Sequence, residues 1–456
     1  MLNSGLSQVD ITPPVGCSLA GYFEDRISEG VHDPLLCQTL VLELDETRVA
    51  LVTCDIIAML PNTVKAAQSL IAHSLPFPAE NVFIHSTHTH TGPASIKAFG
   101  VDTTEAYLEL LPHLMAGGVR AAYLSRKPAR IGFGVGREEG VSFCRRYLMK
   151  DGTVRTNPGA GDKWEEGLGR GNPNIVRPTG PIDPGVGVMR VDDGQGQIRG
   201  MLVNFANHCD TVGGNFISAD YPGVVRKVLR NVLGDATLPA FFNGTCGNLN
   251  HVNFQSPNVK PGYFAHTEWI GTVLGAEALR TTAKIHCGEI DTLRAASKTL
   301  EIALRKPTEG DLRFARNLVE LGPNGLSEED AKELGRRTNL FGNEMAWAKE
   351  LLYVAEINAN TETVSVGAVR IGDGAIVFLP GEIFVEYGLR IKENSPLQPT
   401  FVVELTNSGL GYIPTREAFE QGTGYEERLA RSSKLVPEAG DRMVDAALEL
   451  LEQMKG

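Results

Sequence analysis

One order of elements is legible twice in this chain, and the repetition limits the folds open to it. Residues 38–44 and 48–55 are apolar, β-branched runs joined by the turn Asp45-Glu46-Thr47, the pattern of a β-hairpin. A helical segment follows from Thr63 to His73, then a strand from Asn81 that runs into the loop around His88. Much later, residues 363–371, the turn Gly372-Asp373-Gly374 and residues 375–379 form a second hairpin. Pro380-Gly381-Glu382 then opens a helix to about Lys392, and residues 400–405 are the next strand. Each series runs hairpin, acidic residue, helix, strand, polar loop. Two such halves, each a sheet with a helix outside it, predict an α/β fold with mixed sheets. Packed sheet to sheet they make a four-layer α/β/β/α sandwich of two similar halves. Asp55 and Glu382 then take matching positions, as do the His88 loop and the loop Ser408-Gly409-Leu410-Gly411-Tyr412.

Between the halves lies a Gly/Pro-rich stretch from about Asp151 to Gly187, of a length that in compact proteins marks an active-site loop or a linker. Its Gly167-Leu168-Gly169-Arg170-Gly171 is no dinucleotide fingerprint, because no strand precedes it and no helix pattern follows. Residues 308–352 are charged and helical, broken at Gly322-Pro323-Asn324-Gly325, and predict a helical hairpin inserted in the fold. Residues 441–454 form a closing amphipathic helix.

The formal net charge of −12 over 456 residues argues against nucleic acid or an anionic membrane as partner. No apolar run reaches the length that spans a bilayer. The first ten residues lack a basic start and an apolar core, and the 7 cysteines show no CxxC spacing. Both predict a cytoplasmic protein with reduced thiols.

Chemistry concentrates where strands end. In Thr87-His88-Thr89-His90-Thr91-Gly92-Pro93 the alternation of a strand puts His88 and His90 on one face and His85 on the other. Residues 201–211 end in His208-Cys209-Asp210, and residues 240–251 run an apolar strand into the turn Thr245-Cys246-Gly247-Asn248. Cys209 and Cys246 are buried small hydrophobes more often than nucleophiles. Asp220 reads either as a helix cap or as a partner of site histidines.

Taken in order, these segments resemble the catalytic region of the neutral, non-lysosomal ceramidases, zinc amidases that split ceramide. The resemblance starts at Asp10-Ile11-Thr12-Pro13 and Gly21-Tyr22. It continues through the His88 loop, His208 and Pro380-Gly381-Glu382 to Gly411-Tyr412-Ile413-Pro414-Thr415 and Tyr425-Glu426. It implies a single catalytic domain over 1–456 and one zinc per chain, held by His88, His208, Glu382 and Tyr412. His90, Arg145 and Tyr425 correspond to residues that line the pocket and steady the scissile carbonyl. Arg145 is aligned in preference to Arg146.

Two departures bear on mechanism. Where the family has Gly-Asp-Val-Ser-Pro-Asn, with the serine in the active site, this chain has Gly247-Asn248-Leu249-Asn250-His251-Val252. Attack by zinc-bound water, with Asn250 and Asp210 contacting substrate, is then simpler than a serine-dependent route. The family's immunoglobulin-like C-terminal domain has no counterpart here, and with no secretion signal a membrane sphingolipid is not the expected substrate. The sequence therefore predicts a zinc-dependent hydrolase of an amide, ester or lactone of a small polar molecule. The alternative is a catalytically silent relative that binds metal or ligand.

Overall fold

Two mixed sheets carry the core of the computed structural model, which describes residues 1–97, 99–159, 171–341 and 343–455. The larger sheet has eight strands, in the order Leu238–Asn243, Ile198–Phe205, Gly185–Asp193, Lys127–Arg137, Asn3–Asp10, Leu36–Leu44, Thr47–Cys54 and Val82–Ser86. The smaller has four, in the order Leu293–Ala303, Thr361–Ile371, Gly374–Phe378 and Thr400–Val403. The chain is thus an α/β protein with mixed sheets.

Alternation along the strands explains the packing. Leu40, Leu42, Val49, Leu51 and Phe83 of the large sheet share one buried cluster with Val369, Ile371, Ile376, Phe378 and Phe401 of the small sheet. Phe83 stacks on Phe378 at 4.4 Å. A Cβ at Gly367 would fall 2.3 Å from the Phe83 ring, so only glycine lets the sheets approach there. The intervening residues Val41, Ala50, Val52 and Ile84 pack instead beneath the helices Pro61–Ser74 and Glu105–Leu124. At the other end of the large sheet, Val188, Val203 and Phe241 pack beneath Tyr221–Leu233 and Ala265–Thr282. The outer face of the small sheet is covered by Val385–Asn394 and Ala439–Met454. The latter buries Met443, Ala447, Leu450, Leu451 and Met454, a 3–4-residue period that makes one apolar stripe.

Among the described residues the recurring series is present three times. Each copy is an antiparallel hairpin, a helix, and a strand returning parallel to the hairpin's second strand. They are 36–44/47–54 with 82–86, 361–371/374–378 with 400–403, and 185–193/198–205 with 238–243. Asp55 and Glu382 both follow a second strand but differ in use. Asp55 is a buried anchor, paired to Arg226 at 2.6 and 2.9 Å. The insertion is three helices rather than a hairpin: Glu309–Leu321, Glu328–Phe341 and Glu344–Ala355. The break at Gly322 is as expected, and a second lies at Asn343, whose side chain caps the third helix by accepting from the Ala346 N–H. In the Gly/Pro-rich stretch, Val154–Thr156 and Ile175–Pro178 flank Arg146–Met149 in a small sheet. Residues 160–170, which include most of the 167–171 run, lie outside the described residues. Among the described residues, no helix is long and apolar enough to cross a membrane.

Candidate metal centre

Three imidazoles converge where the strands of the first and third copies end. His88 follows Val82–Ser86 by two residues and takes a left-handed φ of 73°, a conformation costing a non-glycine residue about 1 kcal/mol or more. Its N–H is held by the Ile56 carbonyl at 3.0 Å. The loop then pairs with the His208 loop: Thr89 bridges to Cys209, and the His90 N–H donates to the Cys209 carbonyl at 3.0 Å.

Each ring is oriented by a carbonyl. Nδ1 of His88 meets Ile57 O at 2.8 Å, Nδ1 of His90 meets Gly21 O at 3.0 Å, and Nδ1 of His208 meets Cys246 O at 3.0 Å. A carbonyl only accepts, so each Nδ1 carries a hydrogen and each Nε2 turns inward, that of His208 to accept from Arg145 at 3.1 Å. Those three Nε2 atoms face one another: His88 lies 3.3 Å from His208 and 3.3 Å from His90. The three rings could hold a metal ion between them. His85 points the other way, fixed by the Glu404 carbonyl at 2.7 Å and the Asn243 N–H at 2.9 Å.

Glu382 supplies the negative charge. Its Oε2 lies 3.3 Å from His88 Nε2 and 3.5 Å from His208 Nε2, yet it is a buried oxygen without a hydrogen-bond donor. A buried carboxylate oxygen left bare is costly, and a cation among these atoms removes the cost. A proton on His88 offsets part of it: burial opposes that charge, but Glu382 outweighs burial and raises His88 above the ordinary histidine range. Burial opposes ionisation of Glu382, and His88 and His208 outweigh it, holding the carboxyl well below its usual range. Burial, then Arg145, pushes His208 down to about 3. The Glu382 carboxylate and the neutral His208 thus stand in the protonation states a divalent ion such as Zn²⁺ requires, and His88 would give up its proton on binding one.

Tyr412 is brought beside Glu382 by a two-residue parallel pairing in which Glu382 sits opposite Tyr412 and Ile383 opposite Ile413. Burial, then Glu382, raises Tyr412, so it stands as a neutral phenol. Tyr425 packs beside it, ring centroids 5.7 Å apart. The Arg145 guanidinium faces both rings at 5.3 and 5.2 Å and reaches His208 Nε2 at 3.1 Å. Glu426 anchors it at 3.0 Å and the Gly247 carbonyl at 2.7 Å. The neighbouring Arg146 turns to the far side of Glu426 and to Glu427, at 2.9 and 2.6 Å.

Asp210 stands beside His90, its carboxylate 3.8 Å from Nδ1 and hydrogen-bonded by the Tyr22 hydroxyl. Asn250 uses both ends of its amide locally, donating to Asn157 at 2.6 Å and accepting from the Val252 N–H at 2.9 Å. Asp220 is a helix cap: it accepts from the Tyr221 N–H, and Thr211 holds its other oxygen. Cys209 and Cys246 are fully buried, and burial raises both thiols well above their ordinary range, the reverse of what a nucleophile needs. Sequence reasoning missed Glu426 and Glu404. The signal for Glu404 is an acidic residue closing the apolar run Thr400-Phe401-Val402-Val403.

Several buried histidines make stability depend on pH. Burial pushes His85 and His208 down to about 3, and His251 and His266 to about 4. In the unfolded chain each titrates near 6.5. A depressed pKa stabilises the fold above the unfolded value, and that contribution is lost as pH falls toward the folded value. The stability these histidines contribute should therefore fall between about pH 6 and 4, as unfolding comes to take up protons on their rings. Denaturant unfolding across that range measures it, and a flat profile would contradict the buried, neutral assignment.

No family model matches the sequence, and no curated protein matches it. The fold, however, is that of the neutral ceramidases. The chain is similar to the neutral ceramidase from Pseudomonas aeruginosa at a TM-score of 0.73 and 20% identity, covering 100% of this chain and 75% of that one. It is likewise similar to a ceramidase complexed with C2, at a TM-score of 0.72 and 19% identity over 99% and 76% of the two chains.

Proposed function

We propose that this protein is a zinc-dependent hydrolase that cleaves an amide, ester or lactone of a small polar substrate, with His88, His208, Glu382 and Tyr412 as the zinc-holding residues. The observation that carries the reading is the bare Glu382 Oε2 within 3.5 Å of two carbonyl-oriented Nε2 atoms. The ceramidase fold supports it, since the named neighbours are ceramidases. Zinc bound there supplies Lewis acidity, which polarises a carbonyl and acidifies water.

The chain's own groups do the rest. Burial, then His88, holds His90 well below the ordinary histidine range, so its ring is neutral and its Nε2 accepts a hydrogen bond from water or substrate rather than a full proton. Arg145 keeps its charge: burial opposes it, but its neighbours, the ionised Glu426 among them, outweigh burial and raise it. Its guanidinium, with the Tyr425 hydroxyl, serves to receive the charge that develops on a scissile carbonyl oxygen. Asp210 offers an acceptor to a hydroxyl or amino group of a polar substrate. Asn250 contacts substrate only by exchanging its bond to Asn157 or Val252.

The test is turnover of a panel of small amides, esters and lactones before and after metal chelation. The reading predicts hydrolysis lost on chelation and restored by zinc. Turnover that survives complete metal removal, or none by zinc-loaded protein, would overturn it.

A further inference from the structure

Glu404 follows the strand Thr400–Val403 as a fully buried carboxyl group in an otherwise apolar run of Phe401, Val402, Val403 and Leu405. Such burial costs several kcal/mol unless the oxygens are met, and segments of the metal centre meet both. Oε2 accepts the Ile383 N–H at 2.8 Å and the Cys246 N–H at 3.0 Å, while Oε1 lies 2.9 Å from the Cys246 thiol. Ile383 directly follows Glu382. Cys246 supplies the carbonyl that orients His208 Nδ1 at 3.0 Å. The backbone of Glu404 adds two more ties, its carbonyl to His85 at 2.7 Å and its N–H to the Asn243 carbonyl at 3.2 Å. His85 lies three residues before His88 on the same strand and loop. One residue thus touches the segments that carry His88, His208 and Glu382.

We infer that Glu404 is a positioning residue of the metal centre, its carboxyl group clamping the Cys246 turn to the Glu382 strand and so setting where His208 stands relative to Glu382. The inference rests on the proposed metal reading. Burial raises the Glu404 carboxyl to about 8, and a leucine or methionine would fill this core position without any polar group to satisfy. A carboxylate acting on substrate would keep an oxygen free, whereas both oxygens of Glu404 are engaged by backbone N–H groups and a thiol.

Zinc dissociation constants, read by competition with a chromophoric chelator, decide the matter for wild type, Glu404→Gln, Glu404→Met and Glu404→Asp. Melting temperatures of the metal-free forms are recorded beside them. Glutamine keeps an acceptor oxygen for both N–H groups, and its zinc affinity is expected close to wild type. Methionine has the length without the acceptor, and its affinity is expected to weaken by about 10–100-fold, the usual cost of losing a ligand's supporting partner. A folded Glu404→Met that binds zinc like wild type would overturn the inference. So would a Glu404→Gln as impaired as Glu404→Met. If Glu404→Met does not fold, Glu404→Asp decides, because it withdraws the oxygens by one methylene; about tenfold weaker binding is expected, and wild-type binding would overturn the clamp. A wild type that binds no zinc would overturn the metal reading and the clamp together. A zinc-binding wild type with indifferent variants would overturn the clamp alone.

Discussion

Replacing His208 by alanine is expected to abolish zinc binding while leaving a folded protein. His208 Nε2 lies 3.3 Å from His88 Nε2 and 3.5 Å from Glu382 Oε2, so its removal takes one of the converging donors. The affinity loss should exceed the roughly 10–100-fold caused by changes in supporting partners. The fold loses less. His208 is buried and neutral, and alanine leaves the Cys246 carbonyl without its donor, a cost of about 1–3 kcal/mol. His85→Ala is the informative control. That ring is equally buried and bonded at both nitrogens, to Glu404 O and Asn243 N, but faces away from the cluster. It should cost at least as much stability, with two partners left unmet, and weaken zinc far less than His208→Ala. Equilibrium dialysis with zinc, beside urea unfolding of the metal-free proteins, separates the two effects. Wild-type zinc affinity in His208→Ala would remove His208 from the site.

Glu426→Gln is expected to be the most destabilising single change near the site, at about 3–5 kcal/mol. Glu426 has no exposed surface and accepts from Arg145 at 3.0 Å, Arg146 at 2.9 Å and the Thr156 hydroxyl at 2.6 Å. Arg146 keeps Glu427, but Arg145 loses its one carboxylate partner among these contacts and remains buried at 2% exposure. The effect carries a pH signature. Burial opposes ionisation of Glu426, and Arg146 and Arg145 outweigh it, lowering its pKa. A lowered carboxyl pKa stabilises above the unfolded value of about 4.3 and ceases to do so as pH falls through the folded value. Wild type and variant should therefore differ fully at pH 7 and converge once the pH has fallen below the lowered folded value. Urea unfolding at pH 7 and through the acid range tests this. A difference under about 1 kcal/mol at pH 7, the range of an exposed pair, would contradict the buried network.

Local pattern made part of this structure legible. Period-two apolar runs and short turns mark the hairpins 36–54 and 361–378, and the returning strands 82–86 and 400–403 follow from the same signal. A third copy is not legible, because residues 206–220 separate its hairpin from its helix, and Asn204, Asn207 and Asp210 interrupt the apolar rhythm. The second helix break, at Asn343, carries no Gly-Pro signal like that at 322–323. For the site, places at strand ends pointed to His88, His90 and His208, and Glu382 entered as a ligand only with the resemblance to the ceramidases. Their convergence depends on contacts between residues more than a hundred positions apart, which no local spacing encodes. The same holds for the pairing of Glu382 with Tyr412, since both sit in loops with no strand periodicity of their own. His90 Nε2 stands as near His88 as His208 does, a proximity the alternating HxH pattern allows but does not by itself distinguish from two solvated rings.

The central claim is that a zinc ion is held by nitrogen and oxygen donors at the His88–His208–Glu382 centre. X-ray absorption at the zinc edge, on the zinc-loaded full chain, tests it most directly. The account predicts about one zinc per chain with a nitrogen/oxygen first shell near 2.0–2.1 Å, imidazole scattering beyond it, and no sulfur. A shell near 2.3 Å, the distance of a thiolate ligand, would place the metal on a cysteine such as Cys246 and contradict the account. So would a protein that retains no zinc.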